Sequence, residues 1–212
     1  MTRRLMMLAI GAALLAAGCR KTQEQAAQQA PPPDSLLHVV LETSLGRIVL
    51  ELDRTRAPRT VANILRHLDV HFYDGMTWHR VVPGFVIQTG METPDKMVRT
   101  SSAPPVVNEA QNGLRNLRGT VGLARFRDPH SGTVQFYVNL KDNPELDFTA
   151  RTTAGFGYTV FGRVIEGMDV ADRIGRVRTG TVRGVPETPL EPVLLNRAYV
   201  VPADSAPGSP TP

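Results

Sequence analysis

Residues 78–90 read Trp78-His79-Arg80-Val81-Val82-Pro83-Gly84-Phe85-Val86-Ile87-Gln88-Thr89-Gly90. Two short apolar, β-branched runs, 79–82 and 85–89, flank Pro83-Gly84, so the stretch predicts two short strands joined by a turn. Alternation places His79 and Arg80 on opposite faces of the first strand. A Gln on the second strand would leave unpaired polar atoms if it faced a core, so Gln88 predicts a groove on its side of the sheet.

The flanking sequence repeats this pattern. Segments 36–41 and 47–52 are apolar and β-branched, and Thr43-Ser44-Leu45-Gly46 between them supplies turn chemistry, so they predict a hairpin. Pro58 opens a run in which Val61, Ile64, Leu65 and Leu68 recur at helical spacing, with Arg59, Asn63, Arg66 and His67 between them. Further short strands are predicted over 120–124, 134–139, 158–164 and 193–201. A second helix is predicted over 166–174, with Met168, Ala171 and Ile174 inward. Many short strands with turn signals mean a sandwich or barrel. The irregular stretches 90–119 and 140–157 are too long for idle connectors and are expected to border a site.

The chain has 212 residues, 42% of them hydrophobic, and a formal net charge of +4. Its basic residues are scattered, without a block of five or six like charges, which argues against a nucleic-acid partner. The single Cys excludes an intramolecular disulfide and any multi-cysteine metal site. Residues 1–18 carry two arginines and then a thirteen-residue apolar or small run, 5–17, too short to span a bilayer of roughly 20-residue helices. Cys19 follows Leu15-Ala16-Ala17-Gly18, which resembles a bacterial lipobox with Ala16 where Leu is usual. The alternative is cleavage at a small-x-small site, leaving a soluble secreted protein with a free Cys. The expected organisation is a lipoprotein signal peptide (1–18), a lipidated Cys19 and Pro-rich tether (19–35), a folded domain (36–202) and a Pro/Ser/Ala tail (203–212). The tether lacks large apolar groups and cannot offset the entropy of ordering. The expected place is a membrane anchor facing the periplasm. Arg20, where an Asp would signal inner-membrane retention in enterobacteria, points to the outer membrane.

The motifs of the domain resemble a known family. The 78–90 stretch is similar to the cyclophilin signature Phe-His-Arg-hydrophobic-hydrophobic-Pro-Gly-Phe-x-x-Gln-x-Gly. Asn108-Glu109-Ala110, Asn112-Gly113-Leu114-Arg115-Asn116, Arg118-Gly119-Thr120, Gln135-Phe136-Tyr137-Val138-Asn139, Leu146-Asp147, Phe161-Gly162-Arg163-Val164 and Gly167-Met168-Asp169-Val170 follow in the family's order. The resemblance covers residues 37–200 and is nearest the bacterial periplasmic type. It implies a mainly β fold, a closed eight-stranded antiparallel β-barrel capped by two α-helices. It also implies peptidyl-prolyl cis–trans isomerase activity on proline-containing polypeptides.

That chemistry needs no metal or cofactor. Amide resonance sets a barrier of roughly 20 kcal/mol to rotation about an X–Pro bond. In the twisted transition state the prolyl nitrogen regains its lone pair, and a donor aimed at it stabilises that state over either planar form. By the resemblance Arg80 is this group, and a surface ion pair is its bland alternative. Phe85, Val86, Tyr137 and Leu146 line an apolar slot for the ring. Gln88 and Gln135 bind substrate backbone. Ala124 leaves room for the residue before proline, and Arg125 stands where Asn is usual. Tyr158 aligns with a His or Tyr position. Phe136 reads as core. Val86 replaces a Met and Tyr137 a Phe. Glu145 replaces the Trp that contacts cyclosporin in eukaryotic members, so weak cyclosporin binding is expected. His67 and His71 are four apart, but no Glu or Cys completes a metal pattern. The second reading of the same groove is a binding module, one that holds a proline segment of an envelope partner without turnover. Arg80 favours the enzyme, because binding a planar X–Pro segment needs no donor at the prolyl nitrogen. A monomer is expected.

Overall fold

The computed structural model describes residues 36–202. The signal-like segment, Cys19, the tether and the tail beyond residue 202 lie outside the described residues. Strands β1 (Leu36–Thr43) and β2 (Gly46–Asp53) form the expected hairpin and are followed by helix α1 (Pro58–Asp69). Next come β3 (Met76–Thr77), β4 (Arg80–Val82), β5 (Val86–Thr89), β6 (Thr120–Leu123) and β7 (Phe136–Asn139). A 3₁₀ turn (Pro144–Leu146) precedes β8 (Val160–Glu166), helix α2 (Met168–Ile174), β9 (Thr179–Val182), β10 (Val185–Pro189) and β11 (Leu194–Val201).

Nine of these strands make one antiparallel sheet in the order β3-β11-β1-β2-β8-β6-β7-β5-β4. This corrects the expectation of a closed eight-stranded barrel: the sheet is a strongly curled, open half-barrel of nine strands. The reason lies at Trp78-His79. The chain pairs with β11 as β3, steps through these two residues, and pairs with β5 as β4. One continuous segment thus supplies both edges of the sheet, and two consecutive strands of two and three residues cannot ladder with each other. A second sheet, the β9–β10 hairpin, has no counterpart in the sequence reading. It turns at Arg183-Gly184, both with positive φ (50° and 81°), the backbone that a two-residue hairpin loop requires.

The concave side of the curl is the core. Val39, Leu41, Leu50, Leu52, Trp78, Val81, Ile87, Val121, Val138 and Phe161 are buried there, and α1 covers it with Val61, Ile64 and Leu68. Phe136 joins them, edge-on to Tyr73, Trp78 and Phe161. Asn63 and His67 were expected among the polar residues between the apolar ones of α1, yet both are buried. Burial is tolerated because each is satisfied: Asn63 Nδ2 donates to Thr133 O at 2.5 Å, while His67 meets Asn63 O and Ser101 Oγ, each at 2.7 Å. The N-terminus of α1 has no local side-chain cap. Glu109 performs that service from fifty residues away, accepting from the backbone N–H of Arg59 (3.1 Å) and Thr60 (2.9 Å) and from Thr60 Oγ1 (2.8 Å).

Helix α2 begins two residues later than expected, because β8 runs to Glu166 and Gly167 makes the corner at φ 83°. A Cβ at Gly167 would lie 2.2 Å from Arg47 O, so both conformation and space require Gly there.

Candidate active site

Register builds the site. Arg80 on β4 is opposite Gln88 on β5, Gln88 is opposite Tyr137 on β7, and Tyr137 is opposite Gly122 on β6. The neighbouring row, Val81, Ile87, Val138 and Val121, is fully buried in the core. Because strand residues alternate faces, the row Arg80–Gln88–Tyr137–Gly122 lies on the convex side, crossing four adjacent strands. Val86, two residues from Gln88, shares this face and is buried.

Two members of the row, Arg80 and Gln88, meet, and Gln135 joins them. Arg80 Nη1 is 3.5 Å from Gln88 Oε1, and Gln88 Nε2 donates to Gln135 Oε1 at 2.9 Å. Gln135 sits one residue before β7. Its backbone carbonyl accepts from Ala124 N at 2.8 Å, which brings the chain after β6 to the same place. Arg80 Nε donates to Glu187 Oε2 at 2.7 Å. Among the described residues the Nη2 group of Arg80 has no partner. A half-buried guanidinium therefore carries unused donors beside Gln88.

Gly122 makes room for the Tyr137 ring. A Cβ there would fall 2.3 Å from Tyr137 Cζ and Oη, so the phenol ring lies over bare backbone. Tyr137 is 3% exposed, and its hydroxyl donates to Asn116 Oδ1 at 2.7 Å. Burial pushes that phenol well above its ordinary pKa. Asn116 is one member of a buried amide network. Asn139 Nδ2 reaches Asn116 Oδ1 (3.3 Å) and Thr120 Oγ1 (2.9 Å), and Asn143 Nδ2 reaches Asn139 Oδ1 (2.7 Å) and Phe85 O (3.2 Å). Asp147 holds Asn116 in turn, through its N–H and Nδ2.

This network ties down the segments of Phe85 and Leu146, two residues expected to line the slot. Phe85 follows a turn in which Pro83 precedes Gly84 at φ 67°, and Phe85 N donates to Val82 O at 3.0 Å. Phe85 O accepts from Leu140 N as well as from Asn143. Leu146 ends the 3₁₀ turn, and its carbonyl accepts from Tyr158 N at 2.9 Å. Tyr158 stands edge-on to Tyr137, with centroids 6.0 Å apart. Phe85, Leu146 and Tyr158 are each half-buried, and Glu145 is exposed.

Arg125 is differently employed. Its guanidinium lies 4.5 Å from the Tyr158 ring centroid, Nε donates to Gly157 O at 2.9 Å, and Nη1 donates to Phe126 O at 3.0 Å. Its cation is spent joining the 125–131 loop to the 153–158 loop. His79 faces away from Arg80, as alternation required, and is 5% exposed. Burial first, then Lys96 and Arg80, lower its pKa to about 4. It is neutral at pH 7. A surface cavity of about 390 Å³ lies elsewhere, lined by Leu45, Arg176, Val177, Leu190 and Pro192 among others, and contains none of these groups.

The sequence reading missed Glu187, Gly122 and the roles of Asn116, Asn139 and Asn143. Gly122 carried a usable signal, since an isolated Gly within a strand marks a close approach. Glu187 carried none, lying 107 residues from its partner.

A model of the cyclophilin-type peptidyl-prolyl cis–trans isomerase family matches residues 38–200. The chain belongs to that family. Family membership makes it an enzyme of the peptidyl-prolyl cis–trans isomerase class, one that binds proline-containing peptides. It is 50% identical over 163 residues to a peptidyl-prolyl cis–trans isomerase of Streptomyces antibioticus, covering 77% of this chain and 98% of that protein. It is 44% identical over 164 residues to peptidyl-prolyl cis–trans isomerase A of Dickeya dadantii, covering 77% and 84%. Among solved structures, a cyclophilin of Cryptosporidium parvum superposes with a TM-score of 0.63 at 18% identity, covering 78% of this chain and 98% of that one. A cyclophilin of Hirschia baltica superposes with a TM-score of 0.63 at 24% identity, covering 89% and 82%.

Proposed function

We propose that this cyclophilin accelerates X–Pro isomerisation in polypeptides folding in the bacterial cell envelope, with Arg80 as the group that stabilises the twisted amide. The observation that carries the reading is the Arg80–Gln88–Tyr137 row. It sets a permanently charged fork of donors on one face with an aromatic floor, and a backbone-binding Gln lies between them. The ring of a prolyl residue, which has no N–H to satisfy, occupies the apolar slot of Phe85, Val86, Tyr137 and Leu146. Gln88 and Gln135 hold the flanking backbone, and Ala124 leaves room for the preceding residue. The free Nη edge of Arg80 then donates to the prolyl nitrogen as it becomes pyramidal. Nothing in the step forms a covalent bond to the protein, and no metal takes part.

The envelope setting rests on the sequence: the basic start, the short apolar run, and the sole Cys at its end. Lipidation at Cys19 anchors the domain, and the Pro-rich tether lets it work clear of the bilayer as a monomer. Uncatalysed isomerisation takes tens of seconds or more, long enough to limit the folding of exported chains. The test is isomerisation of an Ala-Pro-Phe reporter peptide by the protein and by Arg80→Ala. Acceleration that the variant loses supports the reading. A folded parent that accelerates no X–Pro peptide would instead make the groove a binding module. For the anchor, Cys19→Ala should move the protein from the membrane to the soluble fraction.

A further inference from the structure

The β9–β10 hairpin is outside the nine-stranded sheet, yet it packs against β4 and delivers one carboxylate to Arg80. The delivery is built in some detail. Glu187 has φ 59°, a left-handed backbone that is strained for a non-Gly residue. The hairpin register shifts between Val185 and Thr188, so Glu187 sits in the irregular part of β10. Thr188, 2% exposed, closes this irregularity by donating its hydroxyl to Val185 O at 3.1 Å. Pro186 and Pro189 stiffen the segment on both sides.

We propose that Glu187 is a positioning residue for Arg80: its carboxylate holds the Nε edge of the guanidinium so that the Nη edge faces the prolyl nitrogen. This rests on the reading of Arg80 as the catalytic group. A free Arg side chain samples many rotamers, and freezing it costs conformational entropy. Gln88, at 3.5 Å from Nη1, is too distant to hold the group alone. The 2.7 Å bond from Nε to Glu187 fixes the plane of the guanidinium while occupying the one nitrogen that points back along the side chain. The carboxylate also weakens the positive field at the groove. Both side chains are about two-fifths exposed, so water screens that loss, whereas the direction of a hydrogen bond is not screened.

The test compares Glu187→Gly, Glu187→Gln, Arg80→Ala and the double variant Arg80→Ala/Glu187→Gly on the reporter peptide, with thermal midpoints beside each. Gly adopts the left-handed backbone without strain, so Glu187→Gly removes the carboxylate without forcing a misfold. Its kcat/KM should fall about tenfold, mostly in kcat, as expected when a reacting group loses its orientation. Gln keeps an oxygen that accepts from Nε, so Glu187→Gln should return activity to within about threefold of the parent. In the Arg80→Ala background, Glu187→Gly should change nothing further. If Glu187→Gly matches or exceeds the parent while Arg80→Ala is inactive, Glu187 does not position Arg80. An equal loss from Glu187→Gly in both backgrounds makes its effect structural and likewise overturns the proposal. If instead Arg80→Ala retains full activity, it is the reading of Arg80 that fails.

Discussion

Lowering the pH should destabilise this domain in part through His79. The imidazole is 5% exposed, its Nδ1 has no partner among the described residues, and it titrates near 4 against an ordinary 6.5. Its folded pKa is thus depressed by burial, with the Lys96 and Arg80 charges adding to the effect. Between pH 6.5 and 4 the unfolded chain takes up a proton that the folded chain refuses. Stability contributed by neutral His79 is fully present above 6.5 and is lost as pH falls through that window. At 1.36 kcal/mol per pKa unit, the 2.5-unit gap amounts to about 3 kcal/mol. Urea unfolding at half-unit steps from pH 7.5 to 4.0, for the parent and for His79→Asn, isolates the term, since carboxylate titrations are common to both proteins. The parent should lose about 3 kcal/mol more than the variant across the window. A flat difference curve, or one in which the variant loses more, would refute the argument that this imidazole is buried neutral.

Tyr137→Phe deletes the hydroxyl that donates to Asn116 Oδ1 and keeps the ring, so it should cost about 1 kcal/mol. Calorimetry should show a fall in Tm of about 2–4 °C, and reporter turnover should stay within about twofold of the parent. Gly122→Ala should be worse, because its Cβ would sit 2.3 Å from two Tyr137 atoms. Overpacking of this kind costs about 1–3 kcal/mol, and displacement of the Tyr137 ring should lower kcat/KM in the same assay. Glu109→Ala should cost about 1–2 kcal/mol in urea unfolding without changing turnover, since it removes the acceptor for two N–H groups at the start of α1.

What was legible in the sequence was what repeats or alternates. Arg80, Gln88 and Tyr137 share a row because period-2 alternation fixes a face, and paired strands align their faces. The apolar stripe of α1 was visible for the same reason. Less visible were features that depend on two distant segments meeting. Asn63 and His67 read as polar spacers because their buried partners, Thr133 O and Ser101 Oγ, are not encoded nearby. The cap on α1 comes from Glu109, and Ala57 at the N-cap position gives no sign of it. The strand count failed at Trp78-His79, where a two-residue step changes pairing partners without any Gly or Pro to mark it. Arg125 was legible only as a departure from the Asn usual at its place in the motif. The structure gives its donors to carbonyls of two loops, a commitment only tertiary contact reveals.

The pairing of β1 with β11 has a mechanical consequence. His38, near the beginning of the domain, is matched to Val201 at its end, and the two strands run antiparallel. A force pulling the two ends apart would therefore load the His38–Val201 rung first and the remaining rungs one after another, as a zipper opens, and not all together as in shear. Such a domain yields to tension at low load, peeling from β1 and β11. Because β11 also pairs with β3, which runs on through Trp78-His79 into β4, peeling that reaches Leu195 and Leu194 would pull on the strand that carries Arg80.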